Sequence, residues 1–313
     1  QIYNQVGVVL NAGAFDLNGR EEAINTLSNA SGVGGTVTNS SATAAKLYIG
    51  HQNGASTFGG AINDGTGTVA IEKIGTGVLT LTGSSNFTGG LTVSAGTAVL
   101  DGSNAGSSAI AVNGTSIFAG SGTAGGTLTA ASGTTVRVGT ASAGTAATTL
   151  TLGGLSLSGG ANVDLDFNTA GTTVDKIATT ASNGLVLNGT NNLNVVLSGA
   201  GWVTGTYPIL TYSGVLGGTG TAALTLTTPV GHSTVNVVDD TLGTVNLVVS
   251  GAVNKWVGGV NSVWDTNNTL NWNSGDQKFL SGDSVVFDDT ATSFTPNISA
   301  NQTPAGVTFD NTT

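Results

Sequence analysis

Short runs in which apolar and polar residues alternate are the feature that most limits what this chain can fold into. In the run Val78–Thr82, Leu79 and Leu81 would point to one face and their neighbours to the other, as successive side chains do along a β-strand. A similar alternation occupies 163–167, and glycine, asparagine or serine closes each run. Helical spacing of apolar residues is almost absent, and only Glu21–Leu27 is predicted to form a short turn. The pattern predicts an all-β protein.

Neighbouring segments resemble one another, which indicates a repeating fold. Ser56–Ile62 (S-T-F-G-G-A-I) is echoed by Ser85–Leu91 (S-N-F-T-G-G-L), and a period in the low tens of residues corresponds to one turn of a β-helix. Threonine and valine favour stacked strands, while glycine and asparagine tolerate left-handed bends at corners. We therefore expect a parallel β-helix with an inward apolar column, in which Phe58 and Phe87 stack.

Charge and composition exclude several classes of function. The 313 residues include 17 acidic and 7 basic side chains, for a net charge of −10 at pH 7, whereas a nucleic-acid-binding protein needs a basic surface. The absence of cysteine excludes disulfides, thiolate metal sites and thiol nucleophiles, and it fits export by a bacterium. Neither His51 nor His232 has an Asp or Ser nearby in sequence in an arrangement that suggests a catalytic triad. We therefore predict no enzyme activity and no catalytic residue.

The segment Lys73–Leu100 is similar to a known repeat. Its sequence K-I-G-T-G-V-L-T-L-T-G-S-S-N-F-T-G-G-L-T-V-S-A-G-T-A-V-L resembles the autotransporter-associated β-strand repeat, whose loose consensus is K-x-G-x-G-x-L-x-L-x-G-x-N-x-[YF]-x-G-x-T-x-V-x-x-G-T-L. Gly205–Tyr212 and Val245–Val249 look like later parts of such passenger-type proteins. The resemblance implies a right-handed parallel β-helix (β-solenoid), secreted or displayed by a Gram-negative bacterium, with a structural or adhesive role.

The location of the protein is also an expectation from the sequence. No apolar run approaches the ~20 residues that span a bilayer, so no transmembrane segment is predicted. The sequence contains no methionine, and no basic segment followed by an apolar one resembles a signal peptide. We expect an extracellular or cell-surface chain whose signal sequence has been removed.

Residues 251–313 differ in composition from residues 1–250, so we place a boundary near Gly251. Three of the four tryptophans lie beyond it, at Trp256, Trp264 and Trp272. They favour a Trp/Asp-rich β cap, subdomain or connector between subunits, because the apolar end of a solenoid must be covered. An exposed platform that stacks on sugar rings is the alternative.

Aspartates in the C-terminal segment suggest one cofactor, calcium, and no other is predicted. Asp276, Asp283, Asp288 and Asp289 lie among glycine, serine and asparagine, and oxygen ligands of these types bind Ca²⁺. Their spacing matches no known calcium loop, so solvated loop carboxylates are the favoured interpretation. Elsewhere, Asp164 and Asp166 alternate with apolar residues. They are expected on the outer face of a strand.

The two ends of the sequence resemble each other. Thr303–Asn311, which contains Phe309, is similar to Val8–Asn18. Uncovered solenoid ends expose backbone and apolar groups that polymerise unless they are blocked. We therefore expect a non-enzymatic structural protein that assembles head to tail with itself into a surface fibre. An adhesin passenger that binds surface glycans is the alternative.

Overall fold

The computed structural model describes residues 4–31, 34–140, 147–167, 173–197, 204–227, 234–251, 253–273 and 278–312. Regular structure in these ranges is β-strand apart from a short 3-10 helix at Gly220–Ala223. As far as residue 93 the strands are β1 (Gly7–Val9), β2 (Ala14–Asp16), β3 (Glu21–Ile24), β4 (Thr26–Ser28), β5 (Thr36–Thr38), β6 (Ala45–Ile49), β7 (Ser56–Phe58), β8 (Ala61–Ile62), β9 (Val69–Lys73), β10 (Val78–Leu81), β11 (Ser84–Ser85) and β12 (Leu91–Val93).

The later strands continue the same succession of short elements. The middle of the chain contains β13 (Thr97–Leu100), β14 (Ser103–Asn104), β15 (Ile110–Val112), β16 (Ile117–Gly120), β17 (Thr123–Ala130), β18 (Thr135–Val138), β19 (Thr149–Leu157), β20 (Asn162–Phe167), β21 (Lys176–Ser182), β22 (Leu185–Leu187) and β23 (Asn191–Leu197). The remainder contains β24 (Gly205–Ser213), β25 (Gly217–Gly218), β26 (Leu224–Leu226), β27 (Thr234–Asp239), β28 (Thr244–Ser250), β29 (Val253–Lys255), β30 (Val263–Trp264), β31 (Ser284–Asp288), β32 (Asn297–Ile298) and β33 (Gly306–Asp310).

These strands build two long sheets whose neighbours are successive turns of a solenoid. One sheet has eight strands in the order β26-β23-β20-β18-β16-β13-β10-β7. The other has fifteen strands: eleven follow the path β27-β28-β24-β21-β19-β17-β15-β12-β9-β6-β3, and β11, β14, β22 and β25 lie off this path. Pairing is parallel throughout the eight-stranded sheet and from β3 to β24 in the larger one. The predicted all-β parallel solenoid is confirmed.

The core consists of apolar columns in which each turn places a side chain on the one before it. In the eight-stranded sheet the register aligns Leu79, Ala98, Phe118, Val136, Val163 and Leu193. Each of these six side chains is at most 2% exposed. Phe58 and Phe87 are both buried in this core. The prediction that they occupy equivalent positions and stack is wrong, because the residue beside Phe58 on the next turn is Leu81, whereas Phe87 follows strand β11. Burial of apolar surface, which contributes about 25 cal/mol per Å², is the main stabilising term for such a column.

The parallel succession ends in an antiparallel hairpin. Strand β28 pairs antiparallel with β24 on one side and with β27 on the other, and the Tyr212 hydroxyl donates a hydrogen bond to Asp239 over 2.7 Å. The solenoid core ends at Val249, and a second core begins at Trp256. The division into 1–250 and 251–313, with the second part as a cap, stays a prediction.

The predicted short turn at Glu21–Leu27 is wrong. The segment contains strands β3 and β4, and β3 pairs in parallel with β6 so that Ile24 lies beside Ile49. Both isoleucines are buried. Pairing with the next turn and burial of Ile24 therefore outweigh the weak local preference of Glu21–Leu27 for a turn.

Aspartates at the corners join successive turns. Asp16, Asp64 and Asp101 each accept hydrogen bonds from both the backbone N–H and the hydroxyl of a serine or threonine on the following turn. For Asp64 the donors are Thr88 N, at 3.1 Å, and Thr88 Oγ1, at 2.6 Å. Several of the few acidic residues thus have a structural role between turns.

Replacing Asp64 by alanine should lower the free energy of unfolding by about 1–2 kcal/mol, because the Thr88 and Val69 N–H groups lose a charged acceptor. Asp64→Asn keeps a carbonyl acceptor and should cost less. Urea unfolding followed by circular dichroism measures both values. Equal stability of the alanine variant and the wild type would contradict the role assigned to this carboxylate.

Candidate functional site

The C-terminal segment forms a parallel sheet of its own, in the order β29-β31-β33. Strands β31 and β33 carry nearly the same sequence, V-V-F-D-D-T at 285–290 and V-T-F-D-N-T at 307–312. Their register places Phe287 beside Phe309 and Asp288 beside Asp310. Two equivalent turns are therefore stacked here.

All three C-terminal tryptophans lie inside this segment. Trp256, Trp264 and Trp272 are at most 4% exposed, and the Trp264 and Trp272 rings meet edge to face with centroids 5.4 Å apart. Phe279 and Phe287 complete the aromatic core. Because these indole faces are covered by other rings, the tryptophans do not form the exposed sugar platform considered as an alternative.

Phe309 is the exposed aromatic residue of the predicted set. Its ring stacks on Phe287 at 5.3 Å with an interplanar angle of 19°, yet the side chain is 75% exposed. A groove of about 410 Å³ runs beside it, lined among others by Phe294 and Pro296. Phe294 is 65% exposed and was not predicted, because it stands alone in a polar loop without any alternating pattern.

Strand β33 forms one edge of its sheet. Among the described strands it pairs only with β31, and its side chains are exposed along its whole length. Val307 on the same strand is 46% exposed. The β33 edge therefore presents backbone hydrogen-bonding groups next to exposed apolar side chains, which is the arrangement that favours addition of another strand.

The first strands of the chain are edges as well. Strand β1 pairs with β4, β2 with β5 and β3 with β6, and each first strand lies at the end of its sheet. Val6 and Val9 are 46% and 67% exposed there. Phe15 on β2 packs partly against the solenoid core. The described part of the chain thus has open parallel edges near both ends.

The aspartates of the predicted calcium site have protein partners. Asp283 is buried and accepts hydrogen bonds from Asn254 Nδ2 and Leu280 N over 2.7 and 2.8 Å. Asp289 accepts hydrogen bonds from the N–H and hydroxyl of Thr312. Asp276 lies outside the described residues. Within those residues no group of three or more His, Asp or Glu side chains is arranged to hold a metal, and the calcium site stays a prediction.

The remaining predicted residue, Asp288, forms an ion pair with Lys255 over 2.6 Å. The hydrogen bond from Lys255, followed by those from Thr290, lowers the pKa of Asp288 to about 2. A carboxyl group whose pKa is lower in the folded chain stabilises the fold above its ordinary pKa of 3.8, and the contribution is lost as the pH falls towards 2.

The C-terminal aromatic core should therefore loosen between about pH 4 and pH 2. Tryptophan fluorescence would report this as a shift to longer wavelength. In an Asp288→Asn variant this part of the transition should be missing, because the amide does not titrate. The same acid transition in the variant and the wild type would show that the Lys255 pair does not hold this segment.

The other carboxylates considered from the sequence lie on the outer face of β20. Burial alternates along this strand as predicted, with Asp164 and Asp166 facing outward. Asp164 forms an ion pair with Arg137 over 2.8 Å and accepts a hydrogen bond from Asn194. Burial, and then the charge of Asp175, raise the pKa of Asp166. His51 is exposed, and His232 lies outside the described residues.

Comparison with known proteins identifies the repeat. A family profile described as passenger-associated-transport-repeat matches residues 71–97, which span β9 to the start of β13. No curated protein shows significant similarity to the chain. A search of the described residues finds no helix with the length and hydropathy of a membrane span. A passenger repeat implies export to the cell surface or beyond. The chain thus contains a passenger-associated transport repeat within a parallel β-solenoid, which confirms the resemblance to autotransporter-associated repeat proteins.

Proposed function

We propose that the protein is a non-enzymatic structural component of the cell surface or its surroundings, which assembles head to tail with further copies of itself. The β33 edge carries this proposal, because its free backbone groups lie beside exposed Val307 and Phe309. An added strand would continue the stacking that already joins Phe287 to Phe309. A contact of this heterologous kind does not close on itself and builds a fibre.

The N-terminal edges supply the complementary surface. Strand β2 carries the sequence A-F-D, and β33 ends in T-F-D. In the same register as β31 and β33, Phe15 of one copy would follow Phe309 of another. Both edges belong to parallel pairs, so the added turn keeps the direction of the solenoid.

Sedimentation velocity across a concentration series tests the proposal. Head-to-tail addition predicts a weight-average sedimentation coefficient that rises continuously with protein concentration, without a plateau at the dimer, because each addition leaves a new free edge. A single monomeric species up to millimolar concentration would contradict it. A closed dimer would contradict it as well, because an isologous contact uses the same patch twice.

An adhesive passenger is the second candidate function, supported by the matched repeat and by the groove beside Phe294 and Phe309. Two exposed aromatic rings next to the carboxylate and amide groups of Asp289 and Asn311 resemble the lining of sugar sites, in which an aromatic face packs on the ring and polar groups bind hydroxyls. A glycan array with the wild type and Phe294→Ala separates the candidates. Binding that the substitution removes, in a chain that stays monomeric, would favour the adhesin.

A further inference from the structure

Lys73 is a fully buried lysine in the apolar interior of the solenoid. It is the last residue of β9 and lies in register between Ile49 of the preceding turn and Val93 of the following turn. Its exposed fraction is 0%. A buried ammonium group is costly unless polar groups surround it, so its surroundings identify its role.

Three main-chain carbonyl oxygens surround the Lys73 ammonium group. Nζ donates hydrogen bonds to Ile74 O and Gly75 O, both at 2.7 Å, and to Ala95 O at 3.3 Å. None of these oxygens accepts a backbone N–H from the described residues. The side chain therefore satisfies carbonyl groups of its own corner and of the corner one turn later.

No carboxylate among the described residues pairs with Lys73. Glu72 is adjacent in sequence but binds Lys46 Nζ at 3.0 Å and Ser94 Oγ at 2.8 Å. Burial lowers the pKa of Lys73 to about 8, so the group is mainly protonated at neutral pH. Within the described part of the chain, the groups that stabilise its positive charge are the three carbonyl dipoles.

At two later corners the residues in register with Lys73 are apolar, Val112 and Ala130, and a neutral hydroxyl from a later position in the turn binds the corner carbonyl groups. Ser116 Oγ lies 2.8 Å from Val93 O and 2.6 Å from Asn113 O and can donate to one of them. Thr134 Oγ1 donates to Ala131 O. A hydroxyl has a single proton to donate, whereas an ammonium group donates three. Of these three corners, the one at Lys73 is thus the corner whose carbonyl oxygens bind a positively charged group.

We propose that the main-chain carbonyls of Ile74, Gly75 and Ala95 form a cation site, which the Lys73 ammonium group fills and which binds a primary alkylammonium ion when that side chain is removed. The site lies entirely within the matched repeat, at 71–97. It fixes the register of one turn on the next, because a slipped turn would leave the ammonium group without Ala95 O. The proposal is independent of head-to-tail assembly.

Chemical rescue tests the site. In Lys73→Ala, propylammonium supplies the atoms that the substitution deletes. We expect the variant to melt about 5–10 °C below the wild type, and saturating propylammonium to raise its Tm by about 2–4 °C more than that of the wild type. Propanol, which has nearly the same size and no charge, should not do so. Lys46→Ala, which removes a half-buried lysine that pairs with Glu72 on the outer face of the sheet, is the matched control.

Two results would overturn the proposal. One is a Tm of Lys73→Met equal to that of the wild type. The other is a propylammonium effect on Lys73→Ala no larger than on Lys46→Ala. If neither Lys73 variant folds, amine acylation of the wild type decides: Lys73 should be modified at least 100-fold more slowly than Lys46 and Lys255, and modification at a similar rate would contradict the site.

Discussion

Replacing Gly96 by alanine should destabilise the solenoid by at least about 3 kcal/mol, whereas the same change at Gly13 should cost about 1 kcal/mol. Both glycines adopt a left-handed backbone, with φ of +67° and +75°. A Cβ atom on Gly96 would lie 2.5 Å from Gly75 O and 2.6 Å from Gly77 O, while a Cβ on Gly13 would meet no atom within 4 Å.

The difference between these variants isolates the cost of stacking one turn on another. The left-handed conformation penalises alanine at both positions, but only at Gly96 does the preceding turn occupy the space of the side chain. Urea unfolding measures both free energies on the same chain. Similar losses for Gly96→Ala and Gly13→Ala would contradict the close packing of successive corners on which the solenoid depends.

Replacing Phe309 by lysine should raise the protein concentration needed for end-to-end assembly by about 10- to 100-fold. Burial of a phenylalanine side chain contributes about 1.5–3 kcal/mol, and each 1.4 kcal/mol changes an association constant tenfold. Phe309 is 75% exposed in the single chain, so the substitution should leave the monomer folded. Light scattering over a concentration series gives the threshold for each variant.

Val215→Lys is the matched control for this experiment. Val215 is 70% exposed, but it lies in the loop before β25 rather than on the β33 edge. The Val215→Lys variant should therefore assemble at the same protein concentration as the wild type. If both lysine variants shifted the threshold equally, the effect would come from added charge in general, and β33 would not be the assembling edge.

The solenoid itself could be predicted from the sequence because its signal is local and repeated. Alternation in Val78–Thr82 defines a strand with one buried face, and the echo of Ser56–Ile62 in Ser85–Leu91 indicates that neighbouring strands are equivalent turns. The exact register was not contained in this echo: Phe58 and Phe87 are both buried, but Phe58 lies beside Leu81 of the next turn rather than at the position equivalent to Phe87.

Other features depend on which residues meet across turns, and the sequence pattern does not contain that information. Glu21–Leu27 has little local preference, and pairing with β6 determines its conformation. The spacing of Trp256, Trp264 and Trp272 fits an exposed row as well as a core, and their mutual packing appears only in three dimensions. Lys73 likewise lies at an inward position of β9, where an alternating pattern predicts an apolar residue.

The most direct test of head-to-tail assembly is cryo-electron microscopy of the concentrated protein. Head-to-tail assembly predicts fibres with a strand spacing of about 4.8 Å along the axis, in which β33 of one copy lies beside the first strands of the next and Phe309 is buried at the junction. Separate rods with Phe309 still exposed would contradict self-assembly.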